Sequence, residues 1–356
     1  MPKSTISIKV PKNQGEKTIA LANKLELVDK SLGIKQDEGK LCIPLVRQPQ
    51  ENELATLKSQ ISEMQLTTRI FIEKKPAAKT LLQVLQNKLP QNLLASLPQA
   101  LDIIGDIAII EVPPELKPYK NFVGEAILKT HRNIRTVLAK AGAICGTYRL
   151  REFTFIAGEH KTQTTHKEFG CQYHVDIAKA YFSPRLSHEH QRVAALVQTG
   201  ETVVDLFAGV GPFSVLIAKK NPTVKVYAVD INPEAVELLK VNVRANRVEN
   251  RVFPILGDAK ELSANKLKGV ADRLIMNLPE TATEFIDAAC QTIKPNGGII
   301  HFYAFVRSPD SIENLKLRFC EAVKKAGRKV ETFIYSKSIR ETAPYEAQIV
   351  LDANVA

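Results

Sequence analysis

Three aspartates stand at the ends of short apolar runs: Asp205 after "TVV", Asp230 after "VKVYAV" and Asp258 after "VFPILG". A fourth run, Leu274 to Met276, ends in Asn277-Leu278-Pro279 and then Glu280. Carboxylates and an amide in such places can bind the hydroxyl and amino groups of one ligand. One such aspartate is most simply a helix N-cap. Three of them in order along a succession of strands are harder to dismiss that way. Between the first two lies Gly209-Val210-Gly211-Pro212. The glycines let a ligand approach the backbone, and Pro212 suits the first turn of a helix. A dinucleotide-binding turn would read GxGxxG, but here the third glycine position is Ser214 and an acid precedes the turn.

A second set of charged residues lies upstream. From Ala126 to Arg151 there are six basic residues (Lys129, Arg132, Arg135, Lys140, Arg149, Arg151) and no acid, which makes a phosphate-binding candidate. A solvated helix face explains Lys129 to Lys140 about as well. In "YFSPRLSHEHQRV" Pro184 starts a turn, and Ser187 is the expected N-cap of the helix that follows. Glu189 then falls in the first turn, near helix-end N–H groups. It is either a capping carboxylate or a base that faces a pocket. The five cysteines contain no CxxC, so neither a zinc site nor a disulfide framework is expected. Cys171 lies near His166 and His174, where ordinary packing is a better reading than a metal site.

The elements that must position these residues follow from periodicity. After Gly200, short apolar runs alternate with helical stretches, the rhythm of a parallel, doubly wound sheet. Upstream, "GTYRLREFTFIAGE" and "THKEFGCQYHVDIAKAYFS" alternate like antiparallel strands, and "YKNFVGEAILKTHRNIRTVLAKA" carries one long helical pattern. Residues 1–47 form a small α/β unit, the polar run that follows marks a linker over 48–80, an α+β region spans 81–195, and the doubly wound domain spans 196–356. The net charge of +11 over 356 residues, with a pI near 9.3, points to a polyanionic partner. No apolar run reaches the length of a membrane span, and "MPKSTISIKV" has no signal-peptide pattern. A cytoplasmic monomer is the expectation.

The stretch "VVDLFAGVGPFS" resembles motif I of the class I S-adenosylmethionine methyltransferases, whose fold is a Rossmann-like doubly wound sheet. On that scaffold Asp230 can take the ribose hydroxyls and Asp258 the adenine amino group. Asn277-Leu278-Pro279 then sits where the methyl acceptor arrives. Enzymes of this scaffold that methylate exocyclic amines resemble one another in D/N-P-P-Y/F. Glu280 replaces the stacking aromatic here, so another acceptor is expected.

Residues 85–356 also resemble the Trm5 family, tRNA (guanine-37, N1) methyltransferases of archaea and eukaryotes. The resemblance rests on "YRLREFTFIAGE", "AYFSPRLSHEHQRV", "VDINPEAVELLKVNVRANRV", "IMNLPETATEFIDAA" and "APYEAQIVLD". It implies S-adenosyl-L-methionine as cofactor and the anticodon loop of tRNA as substrate, with residues 1–47 docking on a distant part of the tRNA. It further implies that Arg149 meets guanine O6, that Glu189 is the base for N1–H, and that Asn277 and Pro279 wall the methyl group. Tyr181 and Arg185 would hold the nucleotide, with Arg132, Arg135 and Arg151 on phosphates. His190, Asp205, Phe207, Gly209, Gly211, Asp230, Ile231, Asp258, Ala259 and Asn277 would contact the cofactor.

These residue types suit the chemistry. Guanine N1 is protonated at neutral pH, and removing that proton sends charge to O6. A permanently charged arginine stabilises such an oxyanion, and a partly desolvated carboxylate is the stronger base. No metal is needed. Rival readings are a wyosine-pathway enzyme on the same scaffold (aminocarboxypropyl transfer or C-methylation of a tricyclic intermediate), a non-catalytic RNA-binding protein, and a small-molecule methyltransferase.

Overall fold

The structure, a computed structural model, describes residues 2–37, 39–74 and 80–356. The chain divides into two compact units, Met1–Thr80 and Leu81–Ala356. In the first, β1 (Pro2–Pro11) is followed by α1 (Gly15–Lys24), β2 (Lys35–Asp37), β3 (Lys40–Pro44), α2 (Glu51–Gln60) and β4 (Gln65–Ile72). The sheet runs β2-β3-β1-β4. The expected linker over 48–80 is therefore corrected: its polar start is helix α2, closed by a capping box between Gln50 and Glu53. Its later residues form β4, antiparallel to β1 from Pro2↔Ile72 to Lys9↔Gln65. Ile8, Val10, Ile43 and Leu57 form a core of this unit's own. Residues 75–79 of the expected linker lie outside the described residues.

The second unit opens with α3 (Leu81–Leu85), the hairpin β5 (Asp102–Ile104) and β6 (Ile107–Ile110), α4 (Lys120–Thr130), β7 (Thr136–Lys140) and β8 (Phe153–Gly158). Its first sheet is ordered β5-β6-β7-β8. The long helical pattern read from Tyr119 onward is thus two elements. Helix α4 stops at Thr130, and Thr136 to Ala139 are buried strand residues paired with β6 and β8. A second hairpin, β9 (Gln163–Glu168) and β10 (Cys171–Asp176), leads into α5 (Ser187–Leu196).

The doubly wound part comprises β11 (Thr202–Asp205), α6 (Pro212–Lys220), β12 (Lys225–Asp230), α7 (Pro233–Ala245), β13 (Val252–Leu256), α8 (Ala259–Ala264), β14 (Arg273–Met276), α9 (Ile286–Thr292), β15 (Gly298–Arg307), α10 (Ile312–Lys325), β16 (Val330–Ala343) and β17 (Glu346–Val355). The sheet order is β13-β12-β11-β14-β15-β17-β16. The first five strands are parallel as expected, but β17 and β16 join antiparallel through a hairpin, which corrects the expected all-parallel sheet. Strand order reverses at β11, so a crevice opens over the carboxyl ends of β11, β12 and β14, where such sheets bind ligands. Val203, Val204, Leu274 and Ile275 are wholly buried, as strands covered on both faces must be.

One hydrophobic cluster crosses the expected division at residue 195, while a second, with Leu85, Ile110, Val123 and Ile156, lies within 81–195. Ile104, Ile107 and Leu138 belong to one hydrophobic cluster with Tyr173, Val203, Ile275 and Val350. Asn242 of α7 and Asn246, the residue that caps its C-terminus, tie the second hairpin to this core. Asn242 and Asn246 each accept a hydrogen bond from a β10 N–H and return one to a β10 carbonyl. Four residues apart, they lie on one face of the helix and stand in for a neighbouring strand. Asn242 also donates to the Val210 carbonyl (2.9 Å), which fixes the glycine turn. Among the described residues no helix is long and apolar enough to cross a membrane.

Candidate active site

The turn after β11 takes its shape from two left-handed glycines, Gly209 (φ 55°) and Gly211 (φ 89°). A Cβ on Gly211 would stand 2.3 Å from Leu239 Cδ1. The Gly209 N–H donates to Asp230 Oδ2 at 2.7 Å, and the Asn232 N–H donates to Oδ1 at 2.9 Å. Asp230 thus braces the turn and its own strand end at once, with lone pairs left for a ligand. Burial pushes its pKa up, against the pull of these N–H groups. Asp205 is wholly buried and accepts from Ser214 Oγ at 2.8 Å. Burial raises its pKa to about 7 despite the serine. Asp258 caps α8, its Oδ1 accepting from the N–H groups of Lys260 and Glu261. The cap reading holds for this residue, and Oδ2 stays outside the cap.

A cavity of about 460 Å³ opens over these strand ends, a size that suits a nucleoside-containing cofactor. Of the expected cofactor contacts, His190, Phe207, Gly209, Asp230, Ile231, Asp258, Ala259 and Asn277 line it. Asp205 and Gly211 do not: they lie one layer below, where they shape the turn. The wall also holds Tyr148, Asn232 and Phe285, which the sequence reading passed over. Phe285 meets Phe207 edge-on (centroids 5.0 Å apart), and Lys260 Nζ lies 4.7 Å from the Phe285 ring. A phenylalanine eight residues after Asn277 was a legible signal only once a short helix was known to return it to the strand end.

The donor set fits S-adenosylmethionine. It combines a carboxylate at the second strand end, a second carboxylate at the third, aromatic walls and a glycine turn that a side chain would fill. His190 is held from behind by Glu168, whose Oε1 lies 2.7 Å from Nδ1. Burial pushes the pKa of nearby His166 down.

Arg149 reaches the cavity from a short turn, itself left-handed at φ 55°. Its guanidinium stacks over Tyr181 at 5.4 Å. Its Nη1 lies 3.0 Å from Glu280 Oε2 as an ion pair, but among the described residues the buried Nη1 has no hydrogen-bond acceptor. Glu280 therefore faces the arginine where amine-methylating enzymes carry an aromatic. The two consecutive carbonyls of the Asn277-Leu278-Pro279 turn are not free. The Leu278 oxygen accepts from the Thr281 N–H (3.1 Å) and the Pro279 oxygen from the Phe305 N–H (3.1 Å). Pro279 itself is absent from the cavity wall, while Asn277 and Leu278 line it.

Glu189 departs most from expectation. The N-cap of α5 is Leu186, with no side-chain cap, so Ser187 is the first residue of the helix rather than its cap. The Glu189 carboxylate is buried and lines neither cavity. It accepts from Arg192 (2.9–3.0 Å) and from the Tyr303 hydroxyl (3.1 Å). Arg192 lies over the Tyr335 ring and is shared with Asp352. Asp352 in turn bonds His301 Nδ1, whose Nε2 faces Arg273, which pairs with Glu201. An arginine only donates, so His301 Nε2 accepts and its Nδ1–H donates to Asp352. Burial works against charge on Asp352, but His301 and Arg192 win and hold its carboxyl below the usual range.

A second cavity of about 210 Å³ shares Arg149, Tyr181 and Glu280 with the first and is lined by Lys140, Arg151, Arg185 and Arg340. Arg185 is held by Asp102. The basic run of 126–151 is spread over several elements. Arg132 and Arg135 are exposed and line neither cavity, and Arg135 pairs with Glu159. Lys140 lies 3.8 Å from both Asp102 and Glu111.

Residues 164–332 match the TRM5/TYW2 methyltransferase domain, residues 81–162 the TYW2 N-terminal domain and residues 7–53 the tRNA methyltransferase 5 N-terminal domain. The chain is 40% identical to the tRNA (guanine(37)-N(1))-methyltransferase Trm5b of Pyrococcus abyssi over 353 residues, 99% of both chains. It is 35% identical to the tRNA 4-demethylwyosine(37)-methyltransferase Taw21 of Saccharolobus solfataricus, over 71% of this chain and 92% of that one. Its structure is similar to the crystal structure of wild-type Trm5b from Pyrococcus abyssi (TM-score 0.73, 38% identity, 99% of each chain). It is also similar to the aTrm5 chain solved in complex with tRNALeu (TM-score 0.70, 32% identity, 99% of this chain and 100% of that one).

Proposed function

The chain belongs to the Trm5 family, and we propose from its site how it transfers a methyl group from S-adenosylmethionine to N1 of guanosine 37 in tRNA. The cofactor supplies an activated methyl group on a sulfonium. Asp230 holds the ribose hydroxyls, Asp258 the adenine amino group, and Phe207 and Phe285 wall the ring. The guanine enters between Tyr181 and Asn277 from the basic second cavity, where Arg151 and Arg185 meet the nucleotide.

Arg149 donates to O6 and holds the negative charge that grows there when N1 loses its proton. One observation carries this reading: a mostly buried guanidinium on the cavity wall with a donor nitrogen that has no hydrogen-bond acceptor among the described residues. Glu189 takes the N1 proton. It can do so once Arg192, already shared with Asp352, turns toward that second carboxylate and uncovers it. Arg149→Ala and Glu189→Gln each lower single-turnover methylation of an unmodified tRNA transcript by about two to four orders of magnitude, with cofactor binding retained. Parent rates in both variants refute the assignment.

The likeness to the Taw21 enzyme favours a second reading, C-methylation of a tricyclic intermediate at the same position. Mass spectrometry of the nucleoside product separates it from N1-methylguanosine. The unit Met1–Thr80 folds around its own core, and we read it as docking on a distant part of the tRNA from a monomeric enzyme. Its removal then weakens affinity for full-length tRNA but not for an anticodon stem-loop.

A further inference from the structure

The two antiparallel strands at the edge of the large sheet reach the catalytic turn through side chains. Gln348 of β17 is 1% exposed and sits between Arg340 of β16 and Asn277. Arg340 Nε donates to Gln348 Oε1 at 2.9 Å, and Gln348 Nε2 donates to Asn277 Oδ1 at 3.4 Å. Arg340 Nη1 also donates to Ser183 Oγ at 3.2 Å, in the segment that carries Tyr181 and Arg185. Strand β15 adds a backbone contact to the same turn, from the Phe305 N–H to the Pro279 carbonyl.

The direction of this chain is not free. An amide side chain can present either end, but a guanidinium carries donors only. Arg340 therefore compels Gln348 to show it the oxygen. Gln348 must then show Asn277 its NH₂, and Asn277 must answer with Oδ1. The end of Asn277 left for the cavity is Nδ2–H₂, for which no protein acceptor is found among the described residues. Asn277 thus meets the base as a donor, the polarity that a negative oxygen calls for and the reverse of an asparagine that accepts amino hydrogens.

We propose that Arg340 and Gln348 are positioning residues that set the amide of Asn277 donor-first toward the acceptor base. The proposal rests on the reading of Asn277 as part of the catalytic wall, and one double-mutant cycle distinguishes the two. Gln348→Glu keeps the shape and the bond to Arg340 but has no donor to offer Asn277, so the asparagine turns its NH₂ inward. The expected result is a single-turnover rate about tenfold to a hundredfold lower, with KM for tRNA and the cofactor dissociation constant within about twofold of the parent. In an Asn277→Ala background, itself about a hundredfold slow, Gln348→Glu changes the rate by less than about twofold.

Equal losses from Gln348→Glu in both backgrounds, or a parent rate in Gln348→Glu alone, overturn the proposal. A parent rate in Asn277→Ala overturns the underlying reading instead. Arg340→Lys keeps an obligate donor and retains most of the rate, whereas Arg340→Gln lets the chain take either direction and falls between the parent and Gln348→Glu. That pair tests the proposal even where a substitution at position 348 does not fold, and equal rates in the two Arg340 variants refute it.

Discussion

Asp205 carries no exposed surface, and burial raises its pKa to about 7 from a usual value of 3.8. Asp205→Asn tests whether that carboxyl opposes the fold. Below about pH 4 the group is protonated in both folded and unfolded chains and contributes nothing. As pH rises from about 4 to about 7 the unfolded chain ionises while the folded one holds its proton, so stability is lost across that window. A pKa displaced by about 3 at roughly 1.4 kcal/mol each gives a penalty of about 4 kcal/mol above pH 7, an upper bound because the unfolded chain is partly compact.

The asparagine has no charge to desolvate, and its Oδ1 still accepts from Ser214, so it lifts the penalty. Its NH₂ adds a cost that is the same at every pH. For a chain of this size about 4 kcal/mol corresponds to roughly 5 °C in Tm. Calorimetric melting of the two proteins should show Asp205→Asn gaining up to that amount on the parent as pH goes from 4.5 to 8. A Tm difference that does not change between those two pH values refutes the reasoning.

Asp230→Ala leaves the Gly209 and Asn232 N–H groups without their carboxylate. The cofactor dissociation constant should rise about tenfold to a hundredfold by isothermal calorimetry. Gly211→Ala forces a side chain into φ 89° against Leu239, which should cost about 1–3 kcal/mol of unfolding free energy in urea titration. Glu280→Gln removes the carboxylate that faces Arg149 across the cavity mouth. Because that carboxylate is half exposed, the gain in tRNA affinity should be modest, about twofold to fivefold in filter binding; unchanged or weaker binding counts against Glu280 as a competitor of the substrate. Affinity for tRNA should also fall at least about tenfold between 50 and 200 mM salt.

The strand-end half of the candidate site was legible because it is local. Each strand end, its glycine or aspartate and the helix that follows lie within a dozen residues, so hydrophobic period and turn chemistry place Asp205, Gly209, Asp230, Asp258 and Asn277 on one sheet edge. Whatever depends on distant pairing was not. The polar run after residue 47 joins the first sheet only because β4 finds β1 some sixty residues away, and residues 136–140 leave a helical pattern because β6 and β8 flank them. Charge shows the same limit. The acids that answer Lys140, Arg135 and Arg149 are Asp102, Glu159 and Glu280, and Glu189 is held by Tyr303 and, through Arg192, by Asp352. Amino-acid order alone determined the parallel strands and the edge that carries the three aspartates, since periodicity records which face of each element is buried; the antiparallel pair β16 and β17 came only with the structure. Tertiary structure alone decided which charges are spent on one another and which remain for the substrate, because an ion pair depends on distance in space and leaves no period in the chain.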